Sequence, residues 1–144
     1  MIRATGHGNV VSDIELKHTP SGKAVCTVRV AVYNGKDKKW FVDLEAWEGL
    51  AENLAATLHK GDRVVFAGIL REDEWTNKEG ETRRKTKVSL DEAGASLSYA
   101  QAEVTKLEYG GGDDGGRQRS ERNAEVVDEA RAVRQTAGVV EEAF

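Results

Sequence analysis

The chain has 144 residues, 39% of them hydrophobic and 32% charged, with a net charge of −4 and one cysteine, Cys26. That length suits one domain of ordinary size plus an appendage, and a core of about 100 residues buries roughly two-thirds of its unfolded surface without a staple. A single cysteine excludes an internal disulfide, no apolar run approaches the ~18 residues of a membrane span, and no basic-then-apolar leader opens the chain, so a cytoplasmic protein is expected.

Taken in order, residues 3–18 carry Val10, Ile14 and Leu16 in strand-like sequence, and "TPSG" (19–22) turns the chain. From Ala24 to Tyr33 the pattern alternates, with Cys26, Val28, Val30 and Val32 against Thr27, Arg29 and Tyr33. "NGKDKK" (34–39) is a basic turn with Asn34-Gly35 as its tip. The next strand, "KKWFVDLEAW", places Val42, Leu44 and Ala46 on one face and Phe41, Asp43, Glu45 and Trp47 on the other. Trp40 then points away from Phe41, toward the core or a subunit contact.

"EGLAENLAATLHKG" (48–61) changes period: Leu50, Leu54 and Leu58 recur every four residues, His59 and Lys60 fall in the last turn, and Gly61 suits a helix end. "RVVFAGIL" (63–70) returns to strand character and runs to Trp75, "TNKEGE" (76–81) turns the chain, and "TRRKTKVSL" (82–90) leads back. A final apolar-spaced stretch, 95–107, is expected to close the domain. About five strands with a helix between the third and fourth is the order of the five-stranded OB-fold barrel. From Gly110 the composition shifts to a Gly- and charge-rich linker (110–120), after which Val126, Ala130, Val133 and Ala137 are spaced for a short, marginal helix. Residues 1–107 hold 16 basic and 16 acidic residues and residues 108–144 hold 5 and 9, so the excess negative charge lies in the last quarter.

Enzyme chemistry finds little support. His7, His18 and His59 lie in unrelated segments without zinc-site spacing, Cys26 sits in an alternating strand as a core residue, and no Walker loop, dinucleotide fingerprint or nucleophile elbow occurs. Asp43 and Glu45 share a strand face but lack a third ligand nearby. No catalytic residue, metal or cofactor is expected.

The aromatics are more informative. Phe41 and Trp47 share a face that charged neighbours mark as wet, Trp75 lies on a hairpin arm, and Tyr33 is in the outward set of its strand. Bases stack on such side chains, at about 1–3 kcal/mol each. Lys36, Lys38 and Lys39 in one loop, Arg71 at the head of the arm, and Arg83, Arg84 and Lys85 on its return strand would track phosphates. A protein–protein surface fits the same pattern, and a neutral domain needs a local patch to hold nucleic acid.

"TPSGKAV" (19–25), "WEGLAENLAATLHKGDRV" (47–64) and "GILREDEWTNKEGETRRKTKV" (68–88) together resemble the bacterial and phage single-stranded DNA-binding protein family over roughly residues 1–107. The resemblance implies an OB-fold barrel (1–107), a homotetramer, and coating of single-stranded DNA without sequence preference in replication, recombination and repair. Its stacking aromatics fall on Phe41, Trp47 and Trp75. A further aromatic that the family often carries in a longer loop is missing here, and Tyr33 is the nearest substitute. Asp43, Glu45 and Glu72–Glu74 stand where basic or neutral residues would favour phosphate, which implies weaker binding or a strand path displaced toward the Lys and Arg loops. Residues 108–144 read as linker and acidic tail. "VVEEAF" resembles the family's docking tip for replication and repair proteins, with Glu141, Glu142 and Phe144 as its contacts. The alternative from another class is an OB-fold interaction module with weak or no DNA binding.

Overall fold

The computed structural model describes residues 1–108, 125–126 and 128–133. The chain divides into two units, Met1–Ala102 and Glu103–Phe144. In the first, the strands are β1 (Ile2–Val10), β2 (Glu15–His18), β3 (Ala24–Asn34), β4 (Lys38–Trp47), β5 (Arg63–Thr76) and β6 (Thr82–Ala95), with helix α1 (Glu48–Thr57) between β4 and β5. The sheet order is β1-β5-β6-β4-β3-β2, and a β1–β3 pairing joins the ring into a closed five-stranded barrel with β2 added outside β3. The stretch read as one segment over 3–18 is therefore two strands separated at residues 11–14.

Closure depends on a close approach. Asn9 and Val10 pair with Ala31 and Val30. A Cβ on Gly8 would meet the Ala31 carbonyl oxygen and the Val30 side chain, so only glycine lets β1 reach β3 there. On the opposite side, the β5–β6 register shifts between Ala67 and Gly68. A Cβ on Gly68 would collide with the Ser89 carbonyl oxygen. This irregularity bends β5, and beyond it β5 and β6 run on as a paired arm to Thr76 and Thr82.

The barrel is filled by the inward set of each strand, with Val10, Val28, Val30, Leu44, Val64 and Val88 at 1% exposure or less. Helix α1 plugs one end through Ala51 and Leu54, and Leu58 joins the same core. Each such leucine contributes about 1.5–3 kcal/mol by leaving water. The helix stops at Thr57, short of the expected 61, and Leu58 is already extended. His59 and Lys60 thus lie beyond it. Gly61, at φ +98, serves the turn into β5, where its N–H donates to the Val10 carbonyl at 2.8 Å.

Residues 96–108 form no strand, contrary to the expectation that 95–107 closes the domain. Ser96 still donates its N–H to the Arg63 carbonyl, but Leu97, Tyr99, Val104 and Leu107 are exposed. In the second unit, residues 125–126 and 128–133 are helical and exposed, in keeping with the spacing of Val126, Ala130 and Val133. The linker at 110–120 and Glu141, Glu142 and Phe144 lie outside the described residues. Among the described residues no helix is long and apolar enough to cross a membrane.

Candidate nucleic-acid interface

Alternation along β4 turns Leu44 and Ala46 into the barrel and leaves Phe41, Asp43, Glu45 and Trp47 on its outer face. Register extends that face sideways. On β3, Tyr33 is opposite Lys39, Ala31 opposite Phe41, Arg29 opposite Asp43 and Val25 opposite Trp47. Asp43 also pairs with Lys87 of β6, which pairs in turn with Arg71 of β5. Further along the arm, Asp73 is opposite Lys85 and Trp75 opposite Arg83. Tyr33, Phe41, Trp47 and Trp75 therefore share one outer surface and are 59%, 48%, 41% and 48% exposed. Trp40 faces the other way but is not in the core. It lies beyond the barrel's packed end at 56% exposure, opposite a half-buried Val32.

The charges between the aromatics are arranged in pairs. Lys85 Nζ lies 2.7 Å from Asp43 Oδ2, and Lys87 Nζ bridges Glu45 Oε2 at 2.7 Å and Asp73 Oδ2 at 2.6 Å. On the reverse face of the arm, Arg84 Nε lies 3.5 Å from Glu72 and 3.9 Å from Glu74, while Arg83, opposite Trp75, is 3.0 Å from Glu81. Every carboxylate that stood out as unfavourable to phosphate thus has a cation partner. Burial pulls Lys87 down, but hydrogen bonds to Asp73 and Glu45 and their charges outweigh it, so its ammonium is raised above the ordinary lysine value.

The sequence-derived cations therefore fall into two groups. Arg83, Arg84 and Lys85 are held by carboxylates. Lys36, Lys38, Lys39 and Arg71 carry no ion pair among the described residues. Lys39 lies over the Phe41 ring at 5.4 Å, and Arg29 lies over the same ring at 5.2 Å. Arg29 and Lys87 were not singled out from the sequence. Arg29 had a signal, since it shares the outward set of Tyr33. Lys87 had one too, since it alternates with the inward Val88 in the outward set of Arg83 and Lys85, but its carboxylate partners depend on which residues face it across β4 and β5.

Trp47 is also tethered: its Nε1–H donates to Glu45 Oε1 at 2.9 Å. Glu48, the next residue, has φ 56, so the chain leaves Trp47 through a left-handed turn directly into α1. Cys26, below this face, is buried, and desolvation pushes its thiol above the usual range. Among the described residues no cluster of His, Cys, Asp and Glu is placed to hold a metal ion.

A family model for the single-strand binding protein family matches residues 1–96. The chain is 39% identical over 114 residues to a single-stranded DNA-binding protein of Corynebacterium glutamicum, covering 72% of this chain and 51% of that protein. It is 38% identical over 115 residues to one of Mycobacterium tuberculosis, covering 73% and 70%. A Paenarthrobacter aurescens protein of the same description is 37% identical over 123 residues, covering 76% and 72%.

Proposed function

The chain belongs to the single-strand binding protein family, and from that premise we propose that it coats single-stranded DNA without sequence preference, as a binding protein and not an enzyme. The observation that carries this reading is the placement of four half-exposed aromatics on one outer face of the barrel. Phe41, Trp47 and Trp75 stack bases, with Tyr33 as a fourth platform. Lys36, Lys38, Lys39 and Arg71 take phosphates directly, while Arg83 and Arg84 exchange solvent-exposed carboxylate partners for phosphate at little cost. Lys85 is half-exposed and is shared between Asp43 and the strand.

The same reading extends to the protein's setting. It acts in replication, recombination and repair, in the cytoplasm of the cell that makes it or of a phage host, and it assembles as a homotetramer. Glu141, Glu142 and Phe144 offer two negative charges and one aromatic anchor to a basic pocket on partner proteins.

The test is tryptophan fluorescence during titration with oligo(dT), repeated across salt concentrations. Strong quenching is expected, with log affinity falling by about 0.7 per unit of log salt for each phosphate neutralised. An absence of quenching at low salt would assign the face to protein contacts instead.

A further inference from the structure

Glu45 occupies an unusual place in the aromatic face. Its Oε1 accepts the Trp47 indole N–H at 2.9 Å, and its Oε2 accepts from Lys87 Nζ at 2.7 Å. Lys87 continues to Asp73 Oδ2 at 2.6 Å. The result is a relay from Trp47 and Glu45 on β4, through Lys87 on β6, to Asp73 on β5, two residues before Trp75 on the same strand face. The side chains of Glu45 and Lys87 are only 16% and 19% exposed, although both lie on the outer surface.

We propose that Glu45 is a positioning residue for Trp47, and that the relay it heads withholds Lys87 from phosphate, so that this part of the face binds by stacking. The second half rests on the stacking function proposed above. The first half follows from the chemistry of indole, which has a single N–H donor and no acceptor. Once that donor is fixed on a carboxylate, the ring cannot turn freely about its side-chain bonds. Trp47 is 41% exposed, so the surrounding packing alone leaves it room to move. A base that stacks on a ring already held in place loses less ordering entropy than one that must immobilise the ring itself.

Lys87 lies within the face, in register between Asp43 and Arg71. By position it would be a phosphate contact, but two carboxylates hold it. Held by Glu45 and Asp73, Lys87 neutralises no phosphate and so releases no condensed cation from DNA. The net contribution to the salt slope is then close to zero. Releasing Lys87 from its carboxylates should restore the slope of a free lysine.

The experiment uses the full chain with Trp40→Phe and Trp75→Phe, so that Trp47 is the only tryptophan, excited selectively over the tyrosines and titrated with oligo(dT). Glu45→Ala, with Glu45→Met as a variant that fills the same space, should lower the fluorescence anisotropy of Trp47 before any DNA is added. The same variants should lose at least half of its quenching by DNA. Glu45→Gln keeps an oxygen acceptor for the indole and should retain both signals. Glu45→Gln with Asp73→Asn frees Lys87 and should steepen the salt slope by about 0.7. Parent-like anisotropy and quenching in the Ala and Met variants would overturn the positioning role. An unchanged slope in the Gln/Asn variant would overturn the withholding of Lys87. If the parent itself shows no quenching, the stacking function fails and the withholding of Lys87 fails with it, while the DNA-free anisotropies still decide whether Glu45 holds Trp47.

Discussion

Phe41, Trp47 and Trp75 each place close to half of a large apolar side chain in water. That exposure limits what they contribute to folding and sets their expected response to substitution. Replacing any one with alanine should weaken oligo(dT) binding by about 1–3 kcal/mol, roughly 5–150-fold. The melting temperature should fall far less than for a buried residue such as Leu44, which is 1% exposed. Trp40→Ala, on the reverse face, should change DNA affinity less than twofold, within about 0.4 kcal/mol. Anisotropy of a labelled oligo(dT) measures all four, and equal losses at Trp40 and Phe41 would mean that the strand does not discriminate between the two faces. These aromatics were legible in the sequence because a strand's period of two sorts faces from local information alone. The state of the charges was not. Arg84 and Lys85 look available in "TRRKTK", and only the cross-strand register reveals the carboxylates opposite them.

The elements tell a similar story. The alternation in β3 and β4, the leucine spacing of α1 and the turn at Asn77–Gly80 were all readable, because each is fixed by residues close in sequence. The end of α1 was not, since Leu58 keeps the four-residue spacing and is buried at 3% although its backbone is already extended. Periodicity cannot separate a last helical leucine from a first one beyond the helix. The closure by Gly8 and the bend at Gly68 were equally hidden, as both answer to partners on distant strands. The β4–β6–β5 junction also carries a pH signature through Lys87. Its pKa is raised in the folded chain, so the ammonium stabilises the fold fully below the ordinary lysine value of 10.5 and loses that contribution as pH rises through the folded value. Arginine at this position stays charged throughout. The melting temperature of Lys87→Arg relative to the parent should therefore be flat up to about pH 9.5 and move in the variant's favour above pH 10.5. A constant difference across that range would show that Lys87 is not linked to folding.

For the whole molecule, the distribution of charge sets up a competition. Residues 1–107 balance 16 basic against 16 acidic residues, yet the balance is not local. The carboxylates of the aromatic face are taken up by Lys85 and Lys87, and those of the reverse face of the arm by Arg84, which leaves Lys36, Lys38, Lys39 and Arg71 without an ion-pair partner among the described residues. Residues 108–144 carry 9 acidic against 5 basic residues on the same chain, at a high effective concentration relative to those free cations. DNA phosphates and tail carboxylates should then compete for one set of lysines and arginines. Truncation at Gly110 is expected to tighten oligo(dT) binding several-fold at low ionic strength. The gain should shrink as salt shortens the screening length from about 30 Å at 0.01 M to about 8 Å at 0.15 M. Substituting Lys36, Lys38 and Lys39 with glutamine in the full-length chain should remove most of the benefit of truncation, because the two competitors would have lost the same target. Identical affinities for the 144-residue and truncated chains at the lowest salt would show that the tail's charge does not compete with DNA for these lysines and arginines.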